Sequence, residues 1–198
     1  MESIINDLFL SIYRYLGFGI VFGTVTMLAW PEISRKGIDL ILKTFISELK
    51  HNSLYRWKFI FFIYLFMVLS RTLICRNIWQ SPWANVIGEW GIYTAEGTYN
   101  TEGLLNILLF APLTLFGLLG FHAYIESKCD ITSISVILFV LKYSLTFSLT
   151  IELCQLFLRL GTFQLSDIAQ NTIGGIIGAV LYLIICKVKS AILKKENR

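Results

Sequence analysis

The sequence predicts an all-α fold: a polytopic membrane bundle of about five transmembrane helices in a single domain, 1–198. Hydrophobic residues make up 56% of the chain and charged residues only 15%, with a mean hydropathy of +0.68. Soluble domains carry about 25% charged residues. Because only a bilayer can cover this much apolar surface, we expect an integral membrane protein with membrane lipids as partners and no nucleic-acid partner.

Five apolar runs are long enough to cross a bilayer, since a spanning helix needs roughly 20 apolar residues. The predicted spans are 8–30, 58–75, 104–125, 131–158 and 168–186. The first contains Gly19 and Gly23 in a GxxxG spacing, which indicates a close helix contact. Pro112 predicts a kink in the third, because proline lacks the backbone N–H and clashes with the preceding turn. The last dozen residues resemble a disordered tail.

Basic residues predict the orientation of the bundle. They concentrate in the first connection and in the tail: Arg35, Lys36, Lys43, Lys50, Arg56, Lys58, Lys189, Lys194 and Lys195. Cytoplasmic loops carry the excess of lysine and arginine, so we expect the amino terminus outside and the carboxyl terminus in the cytoplasm. Within the first connection, apolar residues recur at helical spacing over 38–49. This pattern predicts an amphipathic helix, either in the cytoplasmic membrane interface or packed on the bundle as a linker.

Two polar stripes flank the short link between the fourth and fifth spans. Glu152, Gln155 and Arg159 are spaced i, i+3, i+7 and therefore share one helix face. Asp167 and Asn171 begin a second stripe that continues through two glycines at positions 174 and 178. Facing helices would bring the two stripes together near the link. Gly174 and Gly178 would allow the last two spans to approach closely.

Every predicted span places polar groups in the same, outward half of the bilayer. A charged residue at a helix centre costs roughly 2.5–3.5 kcal/mol on insertion scales, so such groups pair or line a watery cavity. One interpretation is an internal salt-bridge network; the other is an outward polar pocket. The candidate pocket residues are Arg14, Arg71, Asn106, Glu152, Gln155, Arg159, Asp167 and Asn171. Cysteines and histidines are scattered, so we predict no metal site and no cofactor.

Three sequence segments resemble the VanZ-like family of bacterial integral membrane proteins. They are N-I-L-L-F-A-P-L from Asn106, E-x-x-Q-x-x-x-R from Glu152, and D-x-x-x-N-T-x-G-x-x-x-G from Asp167. The resemblance covers 106–178 and implies a VanZ-like core of about 104–186. The family often has glycine soon after the proline, whereas Gly117 comes five positions after Pro112. The resemblance implies a multi-pass protein of the bacterial cell membrane. The family's namesake is associated with resistance to teicoplanin, a lipid-tailed glycopeptide antibiotic.

Three function hypotheses follow. Arginine matches phosphate and carboxylate geometry, so the pocket suits an amphiphile such as an envelope lipid, a lipid-linked cell-wall precursor or a lipoglycopeptide. Our first hypothesis is a non-catalytic binding protein that contributes to teicoplanin resistance or envelope homeostasis. The second is an enzyme acting on a lipid-linked phosphate or sugar, with Glu152 or Asp167 as general base. The third is a small transporter or flippase, although transporters usually place their site near the midplane.

Overall fold

The computed structural model describes residues 2–30, 38–74, 83, 85–91, 93, 101–126 and 133–196. Within these ranges the chain forms seven α-helices: α1 (Glu2–Leu28), α2 (Ile38–His51), α3 (Ser53–Leu69), α4 (Thr101–Gly120), α5 (His122–Glu126), α6 (Ser133–Leu158) and α7 (Leu165–Glu196). The chain continues from α3 into a π-helical turn, Ser70–Ile74. The predicted all-α membrane bundle is confirmed.

The apolar helices correspond to the predicted spans. Among the described residues, four helices are long and apolar enough to cross a membrane: Ser53–Ile74, Thr101–Gly120, Ser133–Leu158 and Leu165–Lys195. Within α1, Ile12–Leu28 is a shorter apolar segment. Positions 75, 131 and 132 of the predicted spans, and Arg35 and Lys36 of the basic connection, lie outside the described residues.

The largest departure from the prediction is at the end of α7. The sequence suggested a tail after position 186, but the helix continues to Glu196. Lysine, alanine and leucine are good helix formers. Falling hydropathy marks where an apolar run ends, which need not be where the helix ends.

The helices pack side by side in the order α1, α3, α4, α7, α6. Neighbours run antiparallel except for α4 and α7, which are parallel: Gly103 lies against Gln170, and Gly174 lies against Ile107. The row curves back on itself, because α6 also contacts the π-helical turn after α3. The starts of α4 and α7 therefore meet the ends of α3 and α6 at one end of the bundle, which we call the polar end.

Glycines set the close approach of α7 to α4. A Cβ added at Gly174 would lie 2.5 Å from the backbone oxygen of Ile107, and one at Gly178 would lie 2.9 Å from Cβ of Thr114. Both glycines thus face α4, and the expectation that they pack against the preceding span, α6, is wrong. The residue that meets α6 is Gly175, one position round the helix.

The GxxxG pair of α1 packs on α3. A Cβ at Gly19 would lie 3.0 Å from the backbone oxygen of Ile63, and one at Gly23 would lie 2.9 Å from Cγ1 of the same residue. This register runs α1 antiparallel to α3. Continuing it along α1 places Arg14 level with the π-helical turn, at the polar end.

Pro112 lies within α4, and the helix is not interrupted there.

The far end of the bundle is organised around α2. Its Phe45 is buried with Met27 and Tyr55, which joins α2 to α1 and α3. Leu42 and Ile46 on the same helix stay exposed. The linker interpretation therefore holds for one face, while the exposed face has the apolar side chains that an interfacial helix would place in lipid.

Candidate functional site

The last turns of α6 bury polar side chains between helices. Glu152 and Gln155 are each 1% exposed, and Ser148, one turn earlier on the same face, is 0% exposed. Polar side chains buried in a membrane bundle need partners, because hydrocarbon offers none. The hydrogen-bond partners of these side chains therefore indicate which parts of the chain this end holds together.

Glu152 and Gln155 tie α6 to two separate parts of the chain. A carboxylate oxygen of Glu152 accepts a hydrogen bond of 3.0 Å from the backbone N–H of Gln164, in the link before α7. Gln155 Nε2 donates a hydrogen bond of 2.9 Å to the backbone carbonyl oxygen of Thr72. That carbonyl is at the end of the π-helical turn, where carbonyl groups lack intrahelical partners. The two side chains thus fix the link and the turn at the polar end.

The first two turns of α7 complete the buried set. Asp167 is 4% exposed and Asn171 is 3% exposed. Asn171 Nδ2 donates a hydrogen bond of 2.9 Å to Ser148 Oγ of α6. Asp167 lies in the first turn of α7, where the helix dipole favours a carboxylate. Asn171 therefore meets the face of α6 that contains Glu152, whereas the two glycines that continue its predicted stripe face α4.

Several buried oxygens at this end have no hydrogen-bond partner among the described residues. They are Gln155 Oε1, Asn171 Oδ1, Ser166 Oγ and Ser70 Oγ. Leaving such a group unsatisfied costs about 1–3 kcal/mol. Each is chemically able to accept a hydrogen bond from a donor that enters the site.

The start of α4 joins the site through one amide pair. Asn106 Nδ2 donates to Gln170 Oε1 at 3.3 Å, and Gln170 Nε2 donates to the backbone oxygen of Glu89 at 3.1 Å. Gly103 lies directly against the Gln170 side chain, where a Cβ would approach Nε2 to 2.6 Å. Asn106 is half-buried and thus lies at the edge of the buried set.

Part of the connection between the π-helical turn and α4 lies over the start of α7. The backbone oxygen of Val86 accepts a hydrogen bond of 2.9 Å from the N–H of Leu165. Gly88 has a φ of 73° and lies directly against Ser166, where a side chain would collide. Segment 86–89 therefore packs against the link and the start of α7.

The three arginines lie around this core with different exposure. Arg71 is half-buried in the π-helical turn, whereas Arg14 and Arg159 are exposed. Arg159 ends α6 with a φ of 58°. The N–H of Leu160 donates to the oxygen of Gln155 at 2.8 Å, which closes the helix end in a Schellman pattern. The conformation that places Arg159 at the rim is therefore fixed by the backbone.

The structure thus buries Glu152, Gln155, Asp167 and Asn171 together and distributes the arginines around them. Sequence reasoning missed Ser148, Thr72, Ser166 and Gly88 as parts of this site. Ser148 had a signal, because it is four residues before Glu152 on the same stripe. Thr72 contributes a backbone oxygen, for which the side-chain pattern gives no signal. Within the residues described, no group of three or more histidine, cysteine, aspartate or glutamate side chains is placed to hold a metal.

A comparison with protein-family models identifies the family of the chain. The model described as VanZ/LLP1 matches residues 12–186. The chain belongs to the VanZ/LLP1 family. The predicted resemblance is confirmed, and it extends beyond the carboxyl-terminal half to include α3 and α1 from residue 12 onward. No curated protein and no solved structure matched this VanZ/LLP1 chain.

Proposed function

We propose that this VanZ/LLP1 protein binds the polar head of an amphiphile at the polar end, facing out of the cell. The ligand would be an envelope lipid, a lipid-linked cell-wall precursor or a lipoglycopeptide such as teicoplanin. Binding would alter glycopeptide sensitivity or envelope assembly without a chemical reaction. The bacterial cell membrane is the location that this proposal requires.

The observation that carries the proposal is the burial of four polar side chains beside arginines at one end of an apolar bundle. Glu152 and Asp167 are 1% and 4% exposed, in helices that are apolar enough to cross a membrane. Arg71 and Arg159 belong to the same end, and a guanidinium matches phosphate or carboxylate in two parallel hydrogen bonds. The buried acceptors of Gln155 and Asn171 supply places for hydroxyl or amide donors of a sugar or peptide head.

Expression in a teicoplanin-sensitive host tests the proposal. We expect the wild-type protein to raise the inhibitory concentration of teicoplanin, and Arg159→Ala and Glu152→Gln to remove that increase at equal protein levels. Lys189→Ala is the matched control, because Lys189 is exposed on α7 far from the polar end.

Binding of teicoplanin and of its deacylated derivative to purified protein would separate recognition of the head from recognition of the tail.

Two outcomes would contradict the proposal in different ways. No change in susceptibility on expression in several hosts would remove the resistance role but leave binding of an envelope lipid. A folded Arg159→Ala protein that retains both full resistance and full binding would remove the pocket itself.

The competing proposal is an enzyme acting on a lipid-linked phosphate or sugar. It is favoured by one observation, that Glu152 and Asp167 are both buried carboxyl groups on adjoining helices. One of them would take a proton from the attacking group while arginine holds the phosphate. Mass spectrometry of envelope lipids from deletion and overexpression strains separates the two proposals, because an unchanged lipid and precursor profile would count against catalysis.

A further inference from the structure

An apolar groove lies between α3 and α6, in the part of the bundle away from the polar end. Its volume is about 400 Å³, and its walls are rings and aliphatic side chains, among them Phe61, Leu65, Phe110, Leu113, Tyr143 and Phe147. We call it the α3–α6 groove. It does not include the residues of the polar end, so it is a separate feature of the molecule.

The order of helix packing explains why the groove exists. α4 packs against α3 on one side and α7 on the other, and α6 packs against α7. α6 reaches the α3 chain at the π-helical turn, where Gln155 bonds to Thr72. From that point towards the far end of the bundle α3 and α6 diverge, and α4 forms the floor between them. The groove is thus closed towards the polar end.

The length of the groove matches one lipid chain. The floor of the groove begins at Phe110 of α4 and ends at Phe121, the residue that follows the helix. At 1.5 Å per residue this distance is about 16 Å. One leaflet contributes about half of the roughly 30 Å hydrocarbon core, or about 15 Å. The walls belong to helices apolar enough to cross a membrane. Hydrocarbon is therefore the medium available to fill the groove.

A cation lies near the far end of the groove. Lys58 Nζ is 5.6 Å from the ring centroid of Phe121, which lines the groove, and 5.3 Å from the ring centroid of Trp30. Cation–π attraction at these distances holds the ammonium beside the rings. Lys43 and Lys50 on α2 are exposed at the same end of the bundle. This charge favours an anionic headgroup where the groove ends.

We propose that the α3–α6 groove binds one acyl chain of an anionic phospholipid, with the headgroup at Lys58. The lipid belongs to the leaflet at the basic end, and its chain extends along α4 towards Phe110. This site is independent of the ligand proposed for the polar end, which lies in the other half of the bundle.

Photo-crosslinking in nanodiscs tests the proposal. The nanodiscs contain phosphatidylcholine with a minority of phosphatidylglycerol, both with identical acyl chains. Benzoylphenylalanine replaces Phe147, inside the groove, or Leu145, which is exposed and does not line the groove. Mass spectrometry then identifies the attached lipid. We expect phosphatidylglycerol at position 147 to exceed its share of the bilayer by about fivefold, and position 145 to report the bilayer ratio.

A charge variant identifies the source of the selection. In the position-147 protein, Lys58→Gln should return the attached lipid to the bilayer ratio, whereas Lys43→Gln on α2 should leave the enrichment in place. Three results would overturn the proposal: the same lipid ratio at positions 147 and 145, attachment to a second protein chain at position 147, or enrichment that survives Lys58→Gln. Thermal unfolding of each variant checks that the fold is retained.

Discussion

Replacing Gly174 by alanine tests the close contact between the parallel helices α4 and α7. The added Cβ would lie 2.5 Å from the backbone oxygen of Ile107 and 2.9 Å from Cβ of Phe110, whereas ordinary contact begins at 3.4 Å. None of these atoms is the free end of a flexible side chain, so the helices must separate by about 1 Å in a tightly packed interior. Overpacking of this kind costs about 1–3 kcal/mol. For a chain of this length, that lowers the unfolding midpoint by about 2–12 °C.

The assay is thermal unfolding in detergent with a thiol-reactive fluorophore, which reports exposure of the half-buried thiols of Cys154 and Cys186. Gly17→Ala is the matched control, because a Cβ at Gly17 of α1 meets nothing within 4 Å. Alanine is favoured over glycine in a helix by about 0.5–1 kcal/mol, so this control should unfold at or slightly above the wild-type temperature. A Gly174→Ala protein as stable as Gly17→Ala would refute the close contact.

Three further comparisons of variants probe the polar end with the same unfolding assay. Glu152→Ala leaves the N–H of Gln164 without its acceptor and should lose about 1–3 kcal/mol, more than Glu152→Gln, which keeps an acceptor oxygen; equal losses would contradict the hydrogen bond. Asn171→Ala and Ser148→Ala should couple by about 0.6 kcal/mol in a double-mutant cycle, and additive effects would argue against the pair. Because Arg159 has a φ of 58°, Arg159→Gly should be more stable than Arg159→Ala by about 1 kcal/mol; the opposite order would show that the residue does not keep this conformation.

Helical periodicity predicted four of the buried side chains at the polar end, but it also placed Arg159 on the first stripe, and that residue is exposed. Glu152 and Gln155 share a stripe by their spacing, as do Asp167 and Asn171, and all four are buried. Their partners could not be predicted in the same way. Glu152 and Gln155 bond to backbone groups, and every residue except proline carries the same N–H and carbonyl. A pattern of side chains does not indicate which backbone group will be within reach.

Hydropathy likewise predicted the apolar helices that the described residues form, but not which of them are in contact. Any apolar helix can follow any other around a bundle, and sequence order favours consecutive neighbours. That preference assigned Gly174 to the contact with α6, whereas the glycine lies against α4. The choice depends on how the surfaces of α4 and α7 fit each other. That fit involves Ile107 and Phe110 at close range and is a property of the assembled helices.

The parallel arrangement of α4 and α7 has an electrostatic consequence. Both helices begin at the polar end, and the start of a helix carries about half a unit of positive charge from its aligned peptide groups. Glu102 and Asp167 lie in the two first turns and are each favoured there by about 0.3–1 kcal/mol. This positive potential comes from the peptide backbone and has no pKa. Neutralising every arginine at the polar end would therefore leave this backbone potential in place.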